Sequence, residues 1–210
     1  MKKNLCILLV SVLYFSSSSS FSQVVQKGDR IFGGSFSASF FNINGSGPNY
    51  NQSGNAGVFP SFGWAVKNDM VFGIKGSVSF SSSKTKTIPA DQAYSRSLSV
   101  GPGVFLRKYK TLKDKFGIYF NNELKGYYLI STQKYPGADK LKSKAWGGDF
   151  SFAPGVFYKF SDSFFGEANI GGVFASYYGN SSTDNFGVGA SFLQTFNFGF
   201  SYIIGRKRAS

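Results

Sequence analysis

Residues 152–166 read FAPGVFYKFSDSFFG, and the fold follows from this stretch. Large apolar side chains alternate with small or polar ones on both sides of a short polar segment, which is typical of two β-strands joined by a turn. Pro154 lies inside the first strand, although proline cannot donate a hydrogen bond to a neighbouring strand. Pro60 and Pro102 lie in two similar stretches upstream. The chain therefore repeats a hairpin, and we expect a bulge or a missing pairing bond at each proline.

The alternation continues through eight segments, in which the large apolar residues occupy even-numbered positions. Representatives of the eight segments are Phe36, Phe62, Phe72, Val104, Phe120, Phe152, Phe174 and Phe198. Odd-numbered positions hold glycine, serine, asparagine and charged residues instead. A period of two predicts strands rather than helices, so the sequence predicts an all-β chain.

The odd-numbered face carries charges that a buried apolar core would not tolerate. These residues are Lys75, Arg107, Glu123, Lys125, Asp149, Lys159 and Glu167. The opposite face is rich in phenylalanine, and such a face over eight strands would not remain soluble in water. Both faces are accommodated when lipid surrounds the barrel and the polar face lines its interior.

Short and long connections alternate along the chain. Short turns are predicted at 67–69, 110–114 and 161–163, and longer polar loops at 42–55, 81–94, 131–145 and 179–185. Outer-membrane barrels have short periplasmic turns and longer external loops. The sequence therefore predicts an eight-stranded antiparallel up-and-down transmembrane β-barrel with a polar, filled lumen and both termini in the periplasm.

The N-terminus predicts export. Two lysines precede an apolar run at 5–15 and a serine tract, which is the pattern of a secretory signal peptide, and we place cleavage after Ser22. That apolar run is too short for a transmembrane helix. The predicted organisation is a signal peptide at 1–22, a short segment at 23–27, the barrel at 28–204 and a basic periplasmic tail at 205–210. The only cysteine, Cys6, lies within the signal peptide.

The repeated hairpin resembles the small OmpA/OmpX-like outer-membrane barrels, especially the outer membrane protein β-barrel domain type found in Bacteroidota. The matching positions are Pro60, Trp64, Asp69 and Phe72-Gly73, then Pro154, Tyr158, Asp162 and Phe165-Gly166, the stretch GPGVFLRKY at 101–109, and Glu123 and Glu167. The resemblance covers about residues 28–204. It implies the barrel fold and a place in the outer membrane, and it does not specify a function.

The interior charges are nearly balanced, with four cations and three anions among the seven named above. Balance favours ion pairs that fill the lumen, because an unpaired buried charge is costly. Counting across the turn at Asp162 places Lys159 near Glu167, so we predict that these two residues pair. A proton or ion path through the lumen is the functional alternative.

Enzymatic, cofactor-dependent and metal-dependent functions are not expected. The chain contains no histidine, which removes the usual general base near neutral pH, and the mature region has no cysteine. Acidic residues are scattered singly, and no oxygen cage for a metal ion is evident. We therefore predict a protein that is not an enzyme and that has no cofactor.

The formal net charge is +13, and part of it lies in the predicted outer loops. The candidates for contact with the phosphates of lipopolysaccharide are Lys84, Lys86, Lys134, Lys140, Lys142 and Lys144. Simple solvation of the loops explains these lysines nearly as well. Outer-membrane lipid and, during biogenesis, the barrel-insertion machinery are the expected partners of a monomer. Nucleic acid is not expected for an exported barrel.

These observations predict a structural or surface-interaction role with a plugged lumen. Two alternatives remain open. One is a narrow conduit or binding site for a small hydrophobic molecule, which a lateral opening in the wall would favour and a filled lumen would exclude. The other is an accessory subunit of an envelope secretion or assembly machine.

Overall fold

A computed structural model describes residues 23–44, 50–86, 93–137, 139–179 and 184–205, without the side chains of 43, 44, 170 and 191–196. The predicted signal peptide and residues 206–210 of the predicted tail lie outside the described residues. No helix in the described part of the chain is long and apolar enough to cross a membrane. The strands are β1 (Arg30–Asn44), β2 (Tyr50–Lys67), β3 (Met70–Lys86), β4 (Ala93–Lys113), β5 (Phe116–Lys134), β6 (Leu141–Lys159), β7 (Phe164–Gly179) and β8 (Asp184–Ile204).

The strands are antiparallel and close in a ring in chain order, β8 pairing with β1. The prediction of eight antiparallel strands is confirmed. The seam between β1 and β8 is the shortest pairing: it runs from Arg30 opposite Ile204 to Ser37 opposite Asn197. On its other side, β1 pairs with β2 as far as Asn44 opposite Tyr50.

Short turns join the strands at one end of the ring, here named the turn end; the opposite end is named the loop end. The turns occupy 68–69, 114–115 and 160–163, close to the predicted positions. The predicted long loops are wrong in extent, because the strands continue into them. For example, β5 and β6 remain paired up to Gln133 opposite Leu141, where 131–145 was expected to be a loop. Serine, threonine and lysine at these positions are compatible with pairing, although they lack an apolar alternation that would predict it.

The outer surface of the ring is apolar. Large exposed side chains at even-numbered positions occur on every strand, among them Phe32, Phe36, Trp64, Phe72, Ile74, Leu98, Leu124, Phe150, Phe164, Phe198 and Phe200. Because neighbouring positions in a strand point to opposite faces, the odd-numbered residues point into the lumen. The assignment of faces from the sequence is thus confirmed.

The lumen is apolar over its turn-end half, which corrects the prediction of a wholly polar interior. The cluster there, here named the turn-end core, consists of Val24, Val25, Ile31, Ala65, Val71, Phe105, Tyr109, Tyr119, Phe157, Phe165 and Ile203. All the strand residues among them have odd numbers. An eight-stranded barrel is so narrow that interior side chains touch, so aromatic residues pack there as in a protein core.

The segment at 23–29 belongs to this core. Val24 and Val25 are completely buried. Their backbone N–H groups both donate to Asp69 Oδ1, at 2.7 and 3.2 Å, and Asp69 N–H donates to the carbonyl of Val25 at 3.0 Å. Asp69 has φ of 57°, a left-handed conformation that aspartate tolerates in turns. The chain before β1 is thereby fixed against the β2–β3 turn and closes the turn end.

Each of the three prolines lies where the pairing with the following strand is interrupted. Regular pairs are missing beside Pro60 between β2 and β3, beside Pro102 between β4 and β5, and beside Pro154 between β6 and β7. Of these three interruptions, only the one beside Pro154 also shifts the register of the pairing. These observations confirm the expectation of a missing bond or bulge, since proline has no N–H to donate.

Candidate functional site in the lumen and on the outer wall

The centre of the lumen holds an ion pair between Arg107 and Glu167. Tyr109 donates its hydroxyl to Glu167 Oε1 at 2.6 Å, and Ser201 donates to the same oxygen at 3.2 Å. Arg107 Nε donates to Asn121 Oδ1 at 3.1 Å. The carboxylate therefore has three donor groups around it, which offsets the cost of removing it from water.

The Arg107 guanidinium also lies against two aromatic rings. Its Cζ atom is 4.9 Å from the ring centroid of Tyr119 and 5.2 Å from that of Phe105. A cation this close to the face of an aromatic ring is attracted by the ring quadrupole. The central ion pair is thus built on the turn-end core.

Two further ion pairs lie nearer the loop end. Lys75 Nζ is 2.7 Å from Glu123 Oε2, and Lys125 Nζ is 3.0 Å from Asp149 Oδ2. Side-chain exposure rises from 13% and 7% for Arg107 and Glu167 to 27% for each partner of the last pair. The network therefore passes from a nearly buried centre to a more exposed part toward the loop end.

The structure places six of the seven predicted lumen charges in these three pairs, and the exception is Lys159. Its predicted partner, Glu167, pairs with Arg107 from the other side of the lumen. Lys159 lies opposite Phe165, whereas Glu167 lies opposite Phe157, so the two charged residues are only diagonal neighbours. Lys159 is 7% exposed and has no ion pair among the described residues. Side chains reach across so narrow a lumen, so residues that are near one another along a hairpin need not pair.

Cavities begin directly above the central pair. A chamber of about 210 Å³ is lined by Lys75, Arg107, Glu123 and Glu167, together with Asn197. A second cavity of about 280 Å³ near the loop end is lined by small residues that include Ser39, Ser53, Ser81 and Ser95. The loop-end half of the lumen is thus open and hydroxyl-rich.

The described residues present no cluster of metal-ligating side chains. No group of three histidine, cysteine, aspartate or glutamate side chains in that part of the chain could hold a metal ion. Glu123 and Glu167 each lie in an ion pair with a cation of another strand. The three ion pairs link different strands inside the lumen.

The predicted lipopolysaccharide-contacting lysines lie mainly on strands, which corrects their assignment to loops. Lys84 and Lys86 lie in β3, Lys134 in β5, and Lys142 and Lys144 in β6; only Lys140 lies in a connection. The five on strands have even numbers and so belong to the outer face of the wall. Regular strand pairing continues further than the apolar residues, and this brings the lysines to the wall.

Five outward-facing cations form one group on four adjacent strands, β3 to β6. This group, here named the cation patch, consists of Lys84, Arg96, Lys134, Lys142 and Lys144, all of them exposed. Lys84 and Lys134 both lie opposite Tyr94, from either side, and Arg96 and Lys142 both lie opposite Thr132. None of the five has an ion pair within the described residues. Sequence reasoning missed Arg96, although its even number and its position beyond Leu98 pointed to this face.

A depression of about 720 Å³ lies lower on the same outer wall. The apolar notch, as it is named here, is lined by Phe32, Pro60, Phe62, Ile74, Gly76, Pro102, Val104, Leu124 and Gly126. Gly76 lies opposite Pro102, and Gly76 and Gly126 occupy outward positions without a side chain. The missing side chains and the two proline interruptions create the depression.

No protein-family model and no curated protein sequence matches this chain. Among solved structures, the chain is similar to the N-terminal β-barrel domain of OprF from Pseudomonas aeruginosa, at 12% identity and a TM-score of 0.36, covering 85% of this chain and 100% of that one. It is similar to OprG from Pseudomonas aeruginosa at 13% identity and a TM-score of 0.42, covering 88% and 100%. The chain is also similar to Neisserial surface protein A, at 13% identity and a TM-score of 0.39, covering 84% of this chain and 97% of that one. The architecture described above rests on the closed ring of strands itself.

Proposed function

We propose that this chain is an integral outer-membrane barrel without enzymatic activity, closed to through-flow, with a structural or surface-interaction role. The observation that carries the proposal is the contrast between the two faces of each strand. Exposed phenylalanine, leucine and isoleucine side chains cover the outside, whereas buried ion pairs lie inside. Lipid solvates the first face, and a barrel leaves no unpaired backbone edge within the hydrocarbon.

The turn end faces the periplasm and the loop end faces outward in this proposal. Strands of 15 to 21 residues are longer than the ~9–11 residues that cross a bilayer at the usual tilt. On β3 to β6 the outward apolar residues give way to cations toward the loop end, so the excess length of these strands projects from the outer surface. The cation patch then lies at the outer interface, where phosphates of lipopolysaccharide are available.

Three successive barriers support the proposed closure to through-flow. The segment at 23–29 closes the periplasmic mouth, the turn-end core fills the space above it, and the Arg107–Glu167 pair lies above that core. An eight-stranded barrel is only wide enough for its side chains to fill. The cavities near the loop end then open to the outside but do not connect to the turn end.

The apolar notch favours a second candidate, a binding site for a small hydrophobic molecule. Lys75 lines both the notch and the chamber in the lumen, so the wall is thin where the pairing beside Pro60 is interrupted. The filled periplasmic half argues against passage to the other side. An accessory role in a secretion or assembly machine stays an alternative without a specific observation in its favour.

Export by a signal peptide cleaved after Ser22, insertion by the barrel-insertion machinery and a monomeric state belong to the same proposal. Cleavage there leaves one residue before Val24, so the new terminus lies at the periplasmic mouth. A terminus at this place allows Val24 and Val25 to enter the barrel as soon as the signal peptide is removed.

The test combines two measurements on protein extracted from the outer membrane. Folded barrels migrate faster on detergent gels before heating than after, and we expect this shift. In planar bilayers we expect no sustained conductance. Absence of the shift would contradict the membrane barrel, and sustained large conductance would contradict the closed lumen. The mass of the extracted chain tests cleavage after Ser22.

A further inference from the structure

We infer that the cation patch and the apolar notch are two parts of one binding site for a phosphorylated, acylated lipid of the outer leaflet. The inference rests on the proposed membrane orientation and adds a specific occupant to it. The patch and the notch are aligned on the same strands. The notch lies on β1 to β5 and the patch on β3 to β6, so β3, β4 and β5 carry both.

The vertical separation fits one acyl chain. Arg96 and Pro102 lie six residues apart on β4, which is about 20 Å along the strand and about 15 Å along the membrane normal at the usual tilt. Half of a typical hydrocarbon core is also about 15 Å. A lipid whose phosphate contacts Arg96 therefore has a chain long enough to reach Pro102.

The charges of the patch favour a phosphate rather than a neutral headgroup. Five cations converge on four neighbouring strands, and no carboxylate pairs with them in the described part of the chain. The ring of Tyr94 lies 5.7 Å from Arg96 Cζ, which orients the guanidinium on the wall. Unpaired cations at the membrane surface attract anionic lipid, each contributing roughly 1 kcal/mol.

The notch is shaped to receive a chain and not only to border bulk lipid. Gly76 and Gly126 lower its floor, while Phe32, Phe62 and Leu124 form its sides. Added Cβ atoms would fit at both glycines: the nearest atom to one at Gly76 is Pro60 Cγ at 3.4 Å, and to one at Gly126 the carbonyl oxygen of Gly147 at 3.9 Å. A side chain can therefore start at either glycine without a clash of its Cβ atom, and a large one would fill the space proposed for the acyl chain.

Two variants and two matched controls test the site. The combined change Arg96→Gln and Lys142→Gln removes two cations, and Gly76→Leu fills the notch. Lys108→Gln removes an exposed outward cation near the turn end, and Gly54→Leu adds a side chain to an outward glycine of β2, where an added Cβ lies 3.5 Å from Phe40 Cδ2. Each protein is purified in mild detergent and incubated with lipopolysaccharide, with phosphatidylglycerol or with phosphatidylcholine. Native mass spectrometry then measures the retained lipid.

We expect the wild type to retain lipopolysaccharide in preference to phosphatidylcholine. Retention should fall about 30-fold when two cations are removed and about tenfold when the notch is filled, while both controls match the wild type. High salt should weaken retention.

Several results would overturn the inference. These are equal retention in all variants, equal losses in the two controls, equal retention of phosphatidylcholine, or a protein dimer that Gly76→Leu abolishes. Preference for phosphatidylglycerol over lipopolysaccharide would exclude lipopolysaccharide as the source of the phosphate and leave a phospholipid as the occupant. Heat-modifiable migration of each variant separates this inference from the proposed function, because a normal shift with unchanged retention contradicts the site alone. Absence of the shift in the wild type would overturn the membrane barrel, and the site with it.

Discussion

The two halves of the lumen have the same strand alternation but different contents. Toward the turn end, Phe157 and Phe165 are almost completely buried in an aromatic cluster. Toward the loop end, the Lys125–Asp149 pair is partly exposed, and serine-lined cavities lie above it. The difference shows that alternation determines which residues face inward, whereas access to water determines which chemistry the inward face can have.

The Arg107–Glu167 pair forms the boundary between these halves. It touches the turn-end core through Tyr109 and Tyr119 and lines the chamber on its other side. We therefore expect the energetic cost of changing an inward residue to fall from the turn end to the loop end. Three substitutions test this gradient.

The largest effect is expected for Phe157→Ala. Its ring packs against Tyr109 and Phe165, with centroids 5.5 and 6.3 Å away, and truncation leaves a cavity that the barrel cannot close. The free energy of unfolding should fall by about 4 kcal/mol, measured by urea titration of protein refolded in vesicles. The control is Phe150→Ala on the same strand, whose outward-facing side chain is 51% exposed, and its cost should be much smaller. Similar losses for both variants would contradict the turn-end core.

A slightly smaller effect is expected for Glu167→Gln. The change keeps the size of the side chain but leaves the Arg107 charge without a partner, which should cost about 3 kcal/mol in the same titration. Adding Arg107→Met to this variant should restore most of the loss, because both members of the pair are then uncharged. Losses that simply add would show that the two residues do not act as a pair.

The smallest effect is expected for Asp149→Asn. Its pair with Lys125 is hydrated, and such pairs contribute at most about 1 kcal/mol. The asparagine oxygen can still accept from Lys125. A loss as large as that of Glu167→Gln would abolish the distinction between the two halves of the lumen.

The sequence predicts the wall of this barrel better than its contents. Large apolar residues recur at outward positions of every strand, so even-numbered residues such as Phe72 and Phe198 reveal the strands and their faces. The turn-end core was missed because Val71, Phe105 and Phe165 have odd numbers and adjoin outward apolar residues. The sequence feature that indicates this core is a short apolar run beside each turn, in which odd-numbered and even-numbered residues are both apolar.

Pairing across the lumen and the role of Val24 and Val25 could not be predicted, for a geometric reason. Which charge reaches Glu167 depends on the stagger of strands that are distant in sequence. The two valines lie before the first strand and follow no periodicity. The near-balance of lumen charges can be read from composition, and it correctly indicated that most of them form ion pairs. Composition does not say which residues pair, and the assignment of Lys159 as a partner of Glu167 was wrong.

The short seam between β1 and β8 has a consequence for the order of assembly. Closing it joins segments more than 150 residues apart in sequence, which carries the largest loop-closure entropy of any strand pair, yet the described pairs end at Ser37 and Asn197. The seam should therefore form last during folding and exchange its amide hydrogens first in the folded protein. The hairpins marked by Pro60, Pro102 and Pro154 should be complete before that step, so the sheet is expected to be an open curved ribbon that becomes a closed ring only when its two ends meet.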